Sequence, residues 1–185
     1  MIQELIYPDN EIPPQWKCQI LCFLRMMWPK GFMGENRLRD WISTEDNHSI
    51  SIMLVEQNIL ISHTEVVWKY LDHAGETYKA YGLSGVLTYP AFRGQGYGKR
   101  IVERGTAYID ASDADIAMFH CDKSLKEFYM RCGWIPMETA VTYVGPKTNP
   151  YVSNELLMMR FYSEHGKKSR PAFETIPFYF GEDTW

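Results

Sequence analysis

The chain contains, from Val86 to Arg100, the stretch VLTYPAFRGQGYGKR. It opens with an apolar, β-favouring run and passes through Pro90, which cannot donate a hydrogen bond to a strand ladder. Glycine then occupies every second position from Gly94 to Gly98, and a run of helical composition follows. The order is therefore strand, glycine turn, helix. The first backbone N–H groups of such a helix lack partners within it, and with the helix macrodipole they form an anion site suited to phosphate.

The spacing of these glycines separates several phosphate-binding signatures. Gly98-Lys99 is followed by Arg100, where a P-loop would have the Ser or Thr that holds magnesium, and the G-x-G-x-x-G dinucleotide pattern does not fit. The pattern Arg93-x-x-Gly96-x-Gly98 resembles the acetyl-coenzyme A pyrophosphate signature of the GCN5-related N-acetyltransferase (GNAT) superfamily. The alternative is an ordinary glycine-rich turn that binds no ligand.

Composition narrows the class of protein. The chain has 185 residues, of which 45% are hydrophobic and 15% aromatic, which predicts one globular domain over residues 1–185. The net charge of −4, without a block of like charges, argues against nucleic acid as a partner and permits a cationic substrate. We recognise no signal peptide and no apolar run long enough for a membrane span, so a cytoplasmic protein is predicted. The spacing of the five histidines fits no metal site, so no metal is predicted.

The four cysteines form no C-x-x-C pair. Cys18 and Cys22 lie four residues apart on a predicted helix and would share one face of it. Together with Cys121 and Cys132, they are predicted to be reduced thiols in the hydrophobic core.

The remaining elements follow from hydrophobic periodicity and from turn residues. Two strands linked by Gln57-Asn58 predict an antiparallel hairpin, and the strands before and after the helix of the glycine loop are predicted to be parallel. The aromatic tail is expected to fold back onto the domain. The predicted strands cover residues 4–7, 49–56, 59–70, 77–88, 115–121, 139–144 and 155–162, and the predicted helices cover 15–28, 98–111 and 123–132.

A second stretch, Phe128 to Trp134, supports the same resemblance. Tyr129, followed by Gly133-Trp134, is similar to the family's "Tyr … Gly-Phe/Trp" signature. In the family, this tyrosine often protonates the coenzyme A thiolate as it leaves, so the resemblance implies that Tyr129 is a general acid. A phenol keeps its proton at neutral pH, as that role requires. The alternative is an aromatic residue that only packs on its helix.

The resemblance implies an α/β fold in a single domain, with a mixed, mostly antiparallel sheet flanked by helices and a parallel strand pair splayed at the acetyl-CoA site. It also implies which residues bind acetyl-CoA, the expected cosubstrate. Strand residues pair with the pantetheine arm, loop amides bind the pyrophosphate, and an acid stands where the family often has Asn. The strand residues are Val86, Leu87 and Thr88, and the acid is Asp122. The loop residues are Arg93, Gly94, Gln95, Gly96, Tyr97, Gly98 and Lys99.

From Gly85 onward, the chain also resembles the aminoglycoside 2′-N-acetyltransferases. The shared positions include the Arg93–Gly96 loop, Tyr129, the run Gly133-Trp134-Ile135-Pro136 and the last five residues, and His63 falls on a similar strand position. In that family an acid near the C-terminus and the terminal carboxylate bind a polycationic sugar. The matching substrate-binding candidates are Asp183 and Trp185, with Glu35 and Asp40 as looser ones.

The chain departs from that family at its proposed base. Ser84 stands where the family has a glutamate that deprotonates the amine through water. Ser84 is therefore retained as a substrate-binding candidate, and His120 is the substitute base candidate. A lone histidine is more often structural.

The expected function is an acetyl-CoA-dependent N-acetyltransferase, an acyltransferase that acts on the primary amine of a small, cationic substrate by direct attack in a ternary complex. The acceptor could be aminoglycoside-like. The expected partners are a small amine and no nucleic acid or membrane, and the expected state is a monomer or homodimer. Two alternatives remain, namely a non-catalytic coenzyme A-binding sensor domain and a protein or peptide N-acetyltransferase.

Overall fold

A computed structural model of the protein describes residues 1–40, 43, 47–182 and 185. The chain divides into two compact units. The first comprises Met1–Val67 and Ser84–Gly105, and the second comprises Trp68–Leu83 and Thr106–Trp185.

The first unit contains three antiparallel strands and the helix that covers them. Strand β1 pairs with β2, and β2 pairs with β3, with Leu5 opposite Met53 and Met53 opposite His63. Two short 3-10 segments, Pro29–Phe32 and Gly34–Leu38, follow the first helix. The elements of this unit are β1 (Gln3–Pro8), α1 (Pro14–Met27), β2 (Ile50–Glu56), the first part of β3 (Ile59–His73), the end of β4 (Glu76–Thr88) and the start of α2 (Tyr97–Asp110).

The second unit is built around β5. Strand β5 pairs in parallel with β4, with Ala80 opposite Ile116, and antiparallel with β9, which also pairs with β6. Strands β10, β7 and β8 form a separate three-stranded sheet. The elements that begin here are β5 (Ile116–Cys121), α3 (Lys126–Arg131), β6 (Ile135–Pro136), β7 (Thr142–Val144), β8 (Tyr151–Val152), β9 (Leu156–Phe161), α4 (Glu164–Thr175) and β10 (Phe178–Gly181). The prediction of a mixed, mostly antiparallel sheet with one parallel pair is confirmed.

The local sequence accounts for the elements that lead to the site. Pro14 stands at the first position of α1, where a missing N–H removes no hydrogen bond. The apolar stripe of α1, including Trp16 and Ile20, packs on β2, β3 and Leu87 at the end of β4. The β2–β3 hairpin is confirmed, and its two linking residues both have positive φ, as a tight hairpin turn requires.

The prediction that all the cysteines are buried is wrong for two of them. Cys121 and Cys132 are buried, whereas Cys18 and Cys22 are exposed. At 100° per residue, Cys18 and Cys22 lie on the side of α1 opposite the core-facing stripe. Their shared face is therefore the solvent face of the helix.

The C-terminal part of the chain contains a helix that the sequence interpretation did not predict. In α4, the Ser163 hydroxyl accepts a hydrogen bond from the Gly166 N–H, which caps the first turn. The sequence did not predict this helix because it contains Gly166 and Pro171, and both residue types disfavour a helix interior. Gly166 is required here, since a Cβ at this position would lie 2.0 Å from the Asp115 carbonyl oxygen.

Two predicted elements are shorter than expected. The strand predicted over 139–144 begins only at Thr142, because a turn in which the Ala140 N–H donates to Met137 O precedes it. The helix predicted over 123–132 starts as a 3-10 turn, continues as α3 and ends before Gly133, whose φ is +83°. Such a glycine is the usual residue after a helix C-terminus.

Candidate active site

The glycine loop has the geometry of an anion-binding turn. Gly94 and Gly96 have φ angles of +77° and +85°, which side-chain-bearing residues rarely adopt. A Cβ added to either would meet no atom within 4 Å, so the space above both glycines is open. Helix α2 begins directly afterwards at Tyr97, and the Arg100 N–H donates to Gly96 O at 3.0 Å. The loop amides and the N-terminus of α2 therefore fit a pyrophosphate group.

Side chains tie this loop to its surroundings. Arg93 Nε donates to Thr88 O at 3.0 Å, and its Nη2 lies 3.9 Å from Met27 Sδ. Gln95 Nε2 donates to Ala91 O at 3.2 Å. The guanidinium of Arg93 is therefore held at the junction between β4 and the loop. On the first turn of α2, beyond Gly98, Lys99 pairs with Glu103 at 3.3 Å.

The end of β4 receives hydrogen bonds from side chains of β3. His63 Nδ1 bonds Gly85 O at 3.1 Å, Thr64 Oγ1 donates to Ser84 O at 3.3 Å, and Ser62 Oγ donates to Leu87 O at 2.6 Å. Gly85 has a φ of +55°, in the left-handed region that favours glycine. Leu87 is buried, whereas Val86 and Thr88 are partly exposed. These three residues are the segment predicted to bind pantetheine.

A buried carboxyl lies next to this segment, and sequence reasoning missed it. Glu65 on β3 is 1% exposed, and its Oε2 accepts a hydrogen bond from Ser43 Oγ at 2.7 Å. Burial, and then the negative charge of Asp9, raise the pKa of Glu65 to about 8. Hydrogen bonds and charge from Ser43, Arg39 and Ser84 only partly oppose this rise. The available signal was a polar run, Ser62 to Glu65, in the middle of a predicted strand.

His63 is also buried, but both its ring nitrogens have partners. Its Nε2 lies 3.1 Å from Ser51 Oγ, which is also 3.1 Å from Asp9 Oδ1. Because Gly85 O can only accept, Nδ1 carries the proton of the neutral ring. Burial lowers the pKa of His63 to about 4 despite opposing effects from Gly85 and Asp9. His63 therefore acts as a neutral link between neighbouring strands.

In the second unit, Tyr129 lies on α3 and is 5% exposed. Its ring packs edge-on against Phe119 at 4.6 Å and Phe128 at 5.0 Å. Burial is the main cause that raises its pKa, with further contributions from Cys121 and Cys132. The phenol is therefore neutral at physiological pH, as a proton donor must be.

His120, the base suggested by the sequence, is buried at the end region of β5. Its Nε2 lies 2.8 Å from Thr142 Oγ1, and its ring packs against Phe180 at 4.5 Å. Its Nδ1 has no hydrogen-bond partner among the described residues. Burial and then the positive charge of Lys69 lower the pKa of His120 to about 4. Such a weakly basic imidazole is a poor acceptor for the proton of an ammonium group.

The other predicted residues are surface groups in their own units. Asp122 caps a 3-10 turn by accepting from the Ser124 N–H at 2.8 Å, and hydrogen bonds at Ser124 lower its pKa. Glu35 is exposed, and Asp40 is 83% exposed and lies 3.9 Å from Lys17 Nζ. Ser84 is partly exposed.

The ring of Trp185, the residue whose terminal carboxylate is the substrate-binding candidate, is buried. Its ring packs against Phe180 at 5.4 Å, and Lys69 Nζ lies 4.5 Å from the ring centre. Asp183 falls outside the described residues. Within the described part of the chain, no group of three or more His, Cys, Asp or Glu side chains is placed to hold a metal ion. None of the helices described is long and apolar enough to cross a membrane.

A family model described as an acetyltransferase (GNAT) domain matches residues 8–137. The chain belongs to the GNAT family. It is accordingly an acyltransferase, and the expectation drawn from the Arg93-x-x-Gly96-x-Gly98 signature is confirmed at this level. A search of curated proteins found no match.

Solved structures share the GNAT fold at low sequence identity. ElaA from Escherichia coli has a TM-score of 0.60 and 14% identity, over 86% of this chain and 99% of that chain. An aminoglycoside 6′-N-acetyltransferase complexed with coenzyme A has a TM-score of 0.60 and 14% identity, over 85% and 96%. Arabidopsis thaliana NAA60, in complex with a bisubstrate analogue, has a TM-score of 0.60 and 12% identity, over 87% and 99%.

Each of the two compact units contains one part of the predicted catalytic machinery. The first unit contains the glycine loop, the Val86–Thr88 strand segment and the Glu65 carboxyl. The second contains Tyr129 and His120. The family match covers both the glycine loop and the Tyr129 signature, but the roles of the individual residues remain predictions.

Proposed function

We propose that this GNAT-family chain transfers an acetyl group from acetyl-coenzyme A to the primary amine of a small, cationic substrate. The supporting observation is the glycine loop, where two glycines with positive φ stand in open space before the N-terminus of α2. Backbone amides there match a pyrophosphate, and Arg93 adds a positive charge beside them. A cytoplasmic location and a monomer or homodimer remain part of the proposal.

The residues of the chain supply binding and proton transfer. Bound acetyl-CoA supplies the activated acetyl group as a thioester. Backbone groups of Val86–Thr88 hold its amide-rich arm as an added strand, and one N–H stabilises the negative charge that develops on the thioester oxygen. The amine attacks directly within a ternary complex, so no acetyl-enzyme forms. Tyr129 donates a proton to the leaving thiolate.

The acceptor is the finer part of the proposal. An aminoglycoside-like amine is supported by the sequence resemblance to the 2′-N-acetyltransferases and by the exposed acids Glu35 and Asp40. Arg25, Arg37 and Arg39 lie in or beside the same loop, and Arg25 and Arg39 both lie over the Phe32 ring, at 5.6 and 5.1 Å. These arginines offset part of the negative charge that Glu35 and Asp40 would present to a cationic amine.

The test is acetylation of a panel of amines by the purified chain. The panel contains aminoglycosides, polyamines, monoamines and peptides, and the acetylated product is measured by mass. Mass detection is preferable to a thiol reagent because exposed Cys18 and Cys22 could react with that reagent. Product from small amines is expected. Coenzyme A binding without any product would indicate a sensor domain, and product from peptides alone would indicate a protein N-acetyltransferase.

A further inference from the structure

Of the two carboxyl oxygens of buried Glu65, one has a hydrogen-bond partner among the described residues and the other has none. Its Oε2 accepts from Ser43, but its Oε1 is inaccessible to solvent and has no hydrogen-bond partner among the described residues. A buried polar atom without a partner costs stability, and such groups are uncommon unless they have a function. The structural roles on this stretch of β3 are filled by Ser62, His63 and Thr64, whose side chains all bond β4.

Glu65 lies on β3, whose side chains bond the β4 segment that is predicted to hold the thioester. Ser84, on β4, is close enough to Glu65 to favour its charged form, although it makes no hydrogen bond to Oε1. Ser84 is the position at which the resembling family has its glutamate. The segment proposed to hold the thioester arm, Val86–Thr88, begins two residues after Ser84. A carboxyl from the neighbouring strand thus occupies the neighbourhood that the missing glutamate would have occupied.

We propose that Glu65 accepts the proton of the substrate ammonium through a water molecule beside Ser84. The inference rests on the proposed acetyl transfer. Ionised Glu65 takes one proton from R–NH3⁺, which frees the nitrogen lone pair. The lone pair forms the C–N bond to the acetyl carbon, the C–S bond breaks, and Tyr129 protonates the thiolate to give the thiol. The nitrogen loses a second proton as the amide forms, and this proton balances the one that Tyr129 gave. Glu65 then releases its proton to solvent, so that one proton is lost per amide formed.

The charged surroundings of Glu65 suit this role. Asp9, after β1, disfavours its ionised form, whereas Arg39, in the loop after α1, favours it. Ser43 and Ser84 add hydrogen-bonding groups from the loop and from β4, and neutral His63 adds no net charge. A proton acceptor works best when its pKa lies near the working pH. The pKa of Glu65, about 8, meets that condition, and the pKa of His120, about 4, does not.

The test compares wild type, Glu65→Gln, Glu65→Asp and the exposed control Glu76→Gln in pH profiles with an amine that the wild type acetylates. In the wild type, kcat/KM is expected to rise with pH up to about pH 8. Glu65→Gln should lower kcat about 10²-fold or more and remove that rise, with the Kd for acetyl-CoA unchanged. Glu65→Asp should recover part of kcat, and Glu76→Gln should match the wild type.

A second variant keeps the proposal falsifiable if Glu65→Gln folds poorly. Asp9→Asn removes the neighbouring charge that raises the pKa of Glu65, so the rise of kcat/KM should move to lower pH. Wild-type kcat in Glu65→Gln, or an unmoved profile in Asp9→Asn, would overturn the assignment of Glu65 while leaving acetyl transfer intact. Absence of product from the wild type with every amine would overturn the proposed function, and the role of Glu65 with it.

Discussion

The ring of Trp185 lies against Gly82 so closely that a Cβ on Gly82 would be 2.2 Å from Trp185 Cε3. The same Cβ would lie 2.4 Å from the backbone oxygen of Met118. These close contacts, and not the backbone conformation, require glycine at position 82, because the φ of Gly82 lies outside the left-handed region. A tail residue whose terminal carboxylate is a predicted substrate-binding group thus has its ring in the core of its unit.

Gly82→Ala is therefore expected to destabilise the protein by about 1–3 kcal/mol, because a backbone oxygen cannot move aside as a side chain can. Denaturant unfolding would measure this effect. Gly31→Ala is the matched control, since the nearest atom to its Cβ would be 4.0 Å away, and it should stay within about 0.5 kcal/mol of the wild type. Combining Gly82→Ala with Trp185→Ala should give less than the summed losses. Full additivity would contradict the contact.

Acetyl-coenzyme A should raise the Tm of the wild type, because it binds only the folded state. Gly96→Asp should abolish the increase by bulk and by like charge near the pyrophosphate. Gly75→Asp is the control for backbone strain, because Gly75 has a φ of +84° and also faces open space, but lies in the β3–β4 turn. If Gly96→Asp keeps the full increase in Tm, the glycine loop is not the pyrophosphate site.

Tyr129→Phe removes one hydroxyl and leaves the packing against Phe119 in place. If Tyr129 is the general acid, kcat should fall by about 10²-fold or more, with little change in the Kd for acetyl-CoA. Tyr70→Phe, at a residue that is 67% exposed, provides the control. A wild-type kcat in Tyr129→Phe would make the phenol a packing residue only.

Glu65 should give the stability of the fold a pH dependence. Its pKa is about 8 in the folded protein against an ordinary value of 4.5, so the folded state holds a proton that the unfolded state has lost. Its contribution is fully present below about pH 4.5 and is lost as the pH rises towards 8. The loss is on the order of a few kcal/mol. Denaturant unfolding at pH 5, 6.5 and 8 should show this loss as a fall in the stability of the wild type relative to Glu65→Gln, since the lowered pKa values of His63 and His120 give both proteins an opposite trend.

Glu65→Gln lacks this contribution because its side chain is neutral at every pH, so the difference between the two proteins isolates Glu65. This comparison needs no substrate and so remains informative whichever amine the enzyme uses. An equal pH dependence of stability in both proteins would place the titrating group elsewhere and would remove the support that the pKa of Glu65 gives to its proposed role.

The sequence by itself determined the parts of this protein that depend on neighbours along the chain. The run from Val86 to Arg100 specifies a strand, a glycine turn and a helix, because proline, alternating glycines and helical periodicity act within a few residues. Gln57-Asn58 specifies a hairpin for the same reason. These local signals were sufficient to predict the GNAT family, the parallel strand pair and the location of the glycine loop.

Only the tertiary structure decided which distant residues lie together. Glu65 comes next to Ser84, and Trp185 next to Gly82, because of how strands and tail pack, and periodicity along the chain carries no information about such pairs. The pKa of Glu65 is equally non-local, since burial and the charge of Asp9 both arise from folding. In the sequence, Glu65 is one acid in a partly polar strand. In the folded protein it is the carboxyl with the most strongly raised pKa among the described acids, beside the strand segment proposed to hold the thioester.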